Sequence, residues 1–124
     1  MTFTNVSGAL GSVRGVNQVA VDPNNSSVYY AAFFGEGVWR SSNAGATWTQ
    51  IKSPLNTPNN ANSTDRSEFG LANDQGTTRM YVGIGASGGP SARFYVSSDA
   101  RAAAPVFQDR TTAQNTGYCD PQCW

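Results

Sequence analysis

Histidine is absent from this chain of 124 residues, and charge of either sign is sparse. Eight lysines and arginines balance eight aspartates and glutamates, so the formal net charge is +0 at pH 7. Without histidine the commonest general base and metal ligand are missing, and any catalysis would rest on carboxylates, tyrosine or arginine. The sequence has no basic stripe that could neutralise the phosphates of a nucleic acid or bind an anionic membrane surface. We therefore expect no metal site, no cofactor and no nucleic-acid partner.

Cysteines and long apolar runs are also scarce. The two cysteines, Cys119 and Cys123, are spaced for a small disulfide loop, and two free thiols fit the same spacing. No run approaches the length of a membrane span. The first residues lack the charged and apolar parts of a signal peptide, so the protein is expected to be intracellular or to be exported by a signal outside this sequence.

Turn-forming residues and short apolar runs are abundant. The chain contains 13 glycines and 6 prolines, and its valines and aromatic residues fall in short runs between polar stretches. No window has the periodicity of a convincing helix. The composition therefore predicts an all-β fold with many turns.

Two stretches of the chain repeat the same order of strands. The pattern threonine, aromatic, polar, polar, apolar occurs at Thr47–Ile51, and similar forms occur at 2–6 and 106–110. After each of the first two copies come a polar loop, an apolar strand, a turn, a second strand, a glycine-rich connection and a third strand. We therefore predict an outer strand (1–7), a four-stranded unit (17–52), a second unit (67–111) and the start of a further unit (112–124).

The most informative motif is the octapeptide from Ser41 to Trp48, which lies between two β-prone runs. The short side chains of Ser41 and Asn43 can bond the backbone of a turn, and Gly45 adopts a positive φ without steric cost. The stretch therefore predicts a strand, a tight turn and a strand, with Trp48 buried beneath the turn.

Together with Thr47, this spacing resembles the Asp-box, or BNR, repeat of sialidases, xyloglucanases and sortilin-like proteins, Ser/Thr-x-Asp-x-Gly-x-Thr-Trp/Phe. Asn43 stands where those families have aspartate, which keeps the acceptor that the turn needs and loses the charge. The stretch Ser97–Arg101 is similar to a second box that keeps its aspartate, Asp99, and lacks the glycine. In those families the box is a structural turn on the rim of a β-propeller blade, away from the catalytic centre.

The resemblance implies an incomplete β-propeller of two four-stranded antiparallel blades and one extra outer strand, because a closed propeller has roughly 4 to 8 blades. The alternative all-β fold is a compact sandwich, which would have to explain why the units repeat in the same strand order. Two blades alone would leave apolar residues only partly covered at Val19, Val21, Phe69 and Leu71. We therefore expect the chain to associate with copies of itself or with the remainder of a propeller.

Strand order in a propeller divides the polar residues between its two ends. The turns after the first and third strands share one end, which carries Asp22, Asn43, Asp74 and Asp99. Ligand contacts are expected at the other end. Carboxylates there that could serve as acid and base in glycoside hydrolysis are Glu36, Asp65 and Glu68. Side chains there that could bind a glycan are Arg14, Arg66, Arg93, Phe34 and Tyr118.

Two functional classes remain open. The resemblance implies an extracellular or secreted protein that binds or hydrolyses glycans, as sialidases and xyloglucanases do. The lack of a readable sialidase arginine motif and the bare strand edges favour a non-catalytic interaction or self-assembling scaffold instead.

Overall fold

The computed structural model describes residue 2 and residues 15–52, 66–85 and 93–111. Some of the predicted features fall outside these ranges: the strand at 3–6, the segment 112–124, the Cys119–Cys123 pair, Arg14, Asp65 and Tyr118. For these, the sequence predictions stand as made.

The described residues form two antiparallel sheets of four strands each, with the strands in chain order within each sheet. Sheet 1 contains β1 (Val16–Asp22), β2 (Asn25–Phe33), β3 (Gly37–Ser41) and β4 (Thr49–Lys52). Sheet 2 contains β5 (Arg66–Asp74), β6 (Thr77–Gly85), β7 (Arg93–Ser97) and β8 (Gln108–Asp109). No helix occurs in the described ranges, so no helix there could cross a membrane. The prediction of an all-β chain with two four-stranded antiparallel units is confirmed.

The two sheets are structural repeats of each other. Tyr29 pairs with Ser41 across β2 and β3, and Met80 pairs with Ser97 in the same place across β6 and β7. The turn after β3 is tied to β2 by a bond from the Ala44 N–H to the Ser27 carbonyl, 2.8 Å. Its counterpart after β7 runs from the Ala100 N–H to the Thr78 carbonyl, also 2.8 Å. The two sheets therefore share their strand order and the register between their second and third strands.

The β3–β4 turn has the self-satisfied geometry that its sequence predicts. The buried hydroxyl of Ser41 accepts the Gly45 N–H at 2.9 Å and donates to Asn43 Oδ1 at 3.0 Å. The Asn43 side chain accepts the Thr47 N–H at 2.8 Å and donates to the Thr47 hydroxyl at 2.9 Å. Gly45 has a φ of 90°, as expected. Trp48 is half-buried rather than fully covered.

Replacing Gly45 by valine is expected to lower the free energy of unfolding by about 1–3 kcal/mol, because a β-branched residue is strained at that positive φ. The matched control is Ala46→Val, one residue on, where φ is not positive and the side chain is exposed. Chemical denaturation of both variants measures the difference. Equal stability of the two would show that the backbone of the turn does not require glycine.

The two sheets pack front to back. The face that sheet 1 buries in this contact is not the counterpart of the face that sheet 2 buries there. The contact face of sheet 1 carries Val28, Tyr30, Ala32 and Val38, all buried. The contact face of sheet 2 carries Phe69, Met80, Val82, Ile84 and Tyr95, also buried. Pairing registers match Phe69 with Val19, which lies on the opposite side of sheet 1 from Tyr30. Each sheet therefore keeps one outward face, and that face is the counterpart of one buried in the other sheet.

Of the four apolar residues expected to be only partly covered, three are partly covered and Phe69 is buried. Val19 and Val21 are 60% and 48% exposed on the outward face of sheet 1. Their counterpart Phe69 is only 6% exposed, because its ring packs edge-on against Tyr30, with 6.1 Å between centroids. Leu71 is half-buried against the same core.

Candidate functional site

The contact between the two sheets includes hydrogen bonds from side chains of β1 to the backbone of β5. Gln18 on β1 pairs with the free edge of β5 through both ends of its amide: Nε2 donates to the Phe69 carbonyl at 2.7 Å, and Oε1 accepts the Phe69 N–H at 2.8 Å. Beside it, Asn17 Nδ2 donates to the Ser67 carbonyl at 3.2 Å. One side chain thus satisfies a donor and an acceptor that an edge strand would otherwise leave open.

A buried polar cluster joins the two sheets at the turn end. Asp22, only 3% exposed, accepts hydrogen bonds from the Tyr30 hydroxyl (2.9 Å), the Thr78 hydroxyl (2.8 Å) and the Asn24 N–H (2.8 Å). Burial, and then the Asp22 carboxylate, raise the pKa of Tyr30, so the phenol stays protonated and donates. The sequence placed Asp22 at this end correctly, as a turn residue. It is also a structural link between the sheets.

Two basic side chains of sheet 1 complete the contact. Arg40 donates from Nη1 to the carbonyls of Ala100 and Ala102, at 2.6 and 2.8 Å, and so holds the turn that follows β7. Lys52 lies with Nζ 4.0 Å from the centre of the Tyr95 ring, and burial lowers its pKa.

The outward face of sheet 2 contains a hollow of about 430 Å³. Its base is a stacked pair of rings, Tyr81 and Phe94, with centroids 6.2 Å apart and planes 18° from parallel. Gly70 and Gly83 keep the space open, since a Cβ built on either would meet nothing within 4 Å. The remaining lining residues are Asn17, Gln18, Glu68 and Phe69. The hollow is thus mainly apolar, with polar groups at its edge.

The outward face of sheet 1 is also apolar. Val16, Val19 and Val21 of β1 are 50%, 60% and 48% exposed. Trp39 packs edge-on against Phe33, with 6.4 Å between centroids, and its Nε1 has no hydrogen-bond partner in the described part of the chain. Trp39 thus packs within sheet 1, on the side of the sheet that faces away from Tyr30.

The charged residues singled out from the sequence lie at the end of the sheets opposite the octapeptide turn. Arg66 and Glu68 pair with each other, with 2.6 Å between Nη2 and Oε1, and both are about half exposed, at 48% and 59%. Arg93 lies 3.5 Å from Asp109, whose pKa is lowered chiefly by its hydrogen bonds to Thr111. Glu36 lies in the β2–β3 turn, where its carbonyl accepts a bond from Gln50 Nε2.

Of the predicted site residues, the structure thus brings together an arginine and a carboxylate, Arg66 and Glu68. Phe34, half-buried in the β2–β3 turn, donates its N–H to the Gly15 carbonyl at 3.5 Å. Within the described ranges, no three acidic or cysteine side chains form a group that could hold a metal ion.

Several residues that shape these surfaces were not singled out from the sequence. Gln18, Arg40, Tyr81 and Phe94 carry no motif, and each acquires its role from a residue on another strand. Alignment of the two repeats provides a signal for two of them, because Gln18 aligns with Glu68 and Tyr81 aligns with Tyr30.

No protein-family model, curated protein or solved structure matches this chain.

Proposed function

We propose that this chain is a β-propeller-type segment that acts as a non-catalytic assembly scaffold, with outward sheet faces that receive further sheets. The observation that supports it is the front-to-back packing of two repeated sheets. Packing of this kind leaves two outward faces, and each is the counterpart of a face already buried in the contact between the sheets.

The match between sheet positions supports an apolar occupant for the hollow on sheet 2. Tyr81 corresponds to Tyr30, which is 0% exposed beneath the neighbouring sheet. Phe94 corresponds to Val38, which is also 0% exposed. The space above Tyr81 is thus the place that Phe69 fills above Tyr30. The proposed occupant of the hollow is therefore a strand-borne apolar side chain.

Energetics favour coverage of these faces. Full burial of one large apolar side chain is worth roughly 1.5–3 kcal/mol, so covering the exposed parts of Val19, Val21, Tyr81 and Phe94 favours a contact. Contiguous apolar patches of this kind mark interaction surfaces. In a propeller, closure of the ring covers every such face, and two sheets supply about half of the smallest ring, which has four.

A second candidate function is glycan binding or hydrolysis, which the sequence resemblance implies. A specific observation favours it: a stacked aromatic pair with polar groups at its edge is a suitable platform for a sugar ring. The Arg66–Glu68 pair beside it could contact sugar hydroxyls. Assembly is favoured over glycan binding because Tyr81 corresponds to Tyr30, which the neighbouring sheet covers completely.

The proposal is tested by measuring association and glycan activity on the same preparation. We expect the intact chain to sediment as more than a monomer at micromolar concentration, and Tyr81→Arg to shift it towards monomer by placing a charge on the apolar face. The control is Val106→Arg, since Val106 is 75% exposed and lies outside both sheets. A panel of sialosides and β-glucans should be neither bound nor hydrolysed. Turnover that Glu36→Gln abolishes would refute the scaffold and establish the second candidate.

A further inference from the structure

The unpartnered face of sheet 2 has a complementary surface on the same molecule. We infer that the sheet which docks there is sheet 1 of a second copy of this chain, stacked front to back as the two sheets within one copy are. The inference rests on the proposed function and names its partner.

The apolar residues are placed for such a contact. Five large apolar side chains are exposed in the described part of the chain, and four of them lie on the two outward faces: Val16, Val19 and Val21 on sheet 1, and Phe94 on sheet 2. Val19 corresponds to Phe69, the residue that packs on Tyr30. In the stacked copies, Val19 of one molecule therefore lies against Tyr81 of the next.

The polar groups of sheet 2 are also complementary to the backbone of sheet 1 in a second copy. Within one copy, the Gln18 amide satisfies the N–H and the carbonyl of Phe69. The counterpart of Gln18 is Glu68, which has only acceptors, but Arg66 is held 2.6 Å from it and has only donors. The ion pair together offers what the amide offers alone. Across the copies, Glu68 accepts the Val19 N–H and Arg66 donates to the Val19 carbonyl.

The contact between copies has fewer polar bonds than the contact within one copy. Arg40, which holds two carbonyls of the neighbouring turn, corresponds to Val96 in sheet 2. The corresponding carbonyls of the octapeptide turn thus receive no donor from that position. We therefore expect association that depends on concentration, in contrast to the permanent contact between sheets of one chain.

Because unlike faces meet, the stacking is heterologous: each copy uses one face to receive and the other to insert. A symmetric dimer with a single interface would instead pair identical faces. The two arrangements differ in how they respond to blocking a single face.

Two variants of the full chain test the arrangement. Val19→Arg blocks the outward face of sheet 1, and Tyr81→Arg blocks that of sheet 2. Each alone is expected to weaken self-association about tenfold or more, while an equimolar mixture forms a one-to-one heterodimer, because each variant retains the face that the other lacks. Sedimentation velocity measures the species, and circular dichroism checks that each variant is folded. Phe94→Arg is the second variant for the face of sheet 2, should Tyr81→Arg fail to fold.

Glu68 supplies a separate readout. Glu68→Gln gives sheet 2 the same amide side chain that sheet 1 has at Gln18, and it is expected to keep or strengthen association. Glu68→Lys places a like charge beside Arg66 and is expected to weaken association. A catalytic carboxylate would show the opposite sensitivity, with activity lost in Glu68→Gln.

Failure of the inference and failure of the proposed function give different results. If either face-blocked variant alone associates as strongly as the unmodified chain, or if the mixture forms no heterodimer, front-to-back stacking of copies is overturned and sheet docking by another geometry stands. A folded, unmodified chain that stays monomeric at all concentrations and hydrolyses a glycan overturns both.

Discussion

Replacing Phe69 by alanine is expected to lower the free energy of unfolding by about 3–5 kcal/mol, the usual cost of removing a buried phenylalanine side chain. The ring is 6% exposed and packs edge-on against Tyr30 between the sheets. Truncation leaves a cavity in the contact that joins them. Denaturant unfolding at low protein concentration, where copies do not associate, measures the loss.

Val19→Ala is the matched control for that experiment, because Val19 holds the corresponding position in sheet 1 and is 60% exposed. Its replacement should change stability by about 0.5 kcal/mol or less, as at other exposed positions. A similar loss in both variants would mean that the sheets do not rely on the Phe69 contact. A large loss in Val19→Ala alone would show that the outward face of sheet 1 is covered within a single chain.

Replacing Asp22 by alanine is the second substitution with a large expected effect, about 2–5 kcal/mol. It removes the acceptor of three hydrogen bonds and leaves the buried hydroxyls of Tyr30 and Thr78 without that partner, and each buried polar group that loses its partner costs roughly 1–3 kcal/mol. The loss should appear in thermal and denaturant unfolding alike, without any change in secondary structure before the transition.

Asp74 occupies the corresponding hairpin position in sheet 2 and provides the control. It forms an ion pair with Arg79 at 2.6 Å in which both side chains are exposed, at 45% and 40%. Exposed pairs of this kind contribute about 0–1 kcal/mol, so Asp74→Ala should be nearly silent. Comparable losses at the two positions would contradict the role of Asp22 as a link between the sheets.

The contrast between the two aspartates shows how far the sequence could predict this structure. Both precede two-residue turns, and local sequence places both at the same end of the sheets, as found. The burial of Asp22 depends on Thr78, which is 56 positions away. Nothing within the hairpin sequence encodes that proximity.

The octapeptide turn was predictable for the opposite reason. Ser41, Asn43, Gly45 and Thr47 bond one another over at most four positions, so all the necessary information lies within the motif. Strand order followed from the repeat in the same way. The pairing of Gln18 with Phe69 spans 51 positions and was not predicted, because it requires knowing which face of each sheet turns towards the other.

The candidate site, too, could be predicted only in part from the sequence. Sequence placed Glu36, Arg66, Glu68 and Arg93 at one end, but it did not indicate that Arg66 and Glu68 pair with each other. It also did not identify the hollow. The hollow arises from Tyr81 and Phe94, which lie on different strands, and from two glycines that leave the space between the rings and the solvent open.

The chain-order arrangement of strands in each sheet also has a consequence for synthesis on the ribosome. Among the described residues the strands of sheet 1 pair only with one another, so this sheet can form before β8 has been made. At roughly 5–20 residues per second, the delay between β4 and β8 is about 3–11 s. During that interval Tyr30 and Gln18 have no second sheet to cover them. We therefore expect the contact face of sheet 1 to stay exposed on the nascent chain over this window, and slower translation of the codons between β4 and β5 to lengthen its exposure.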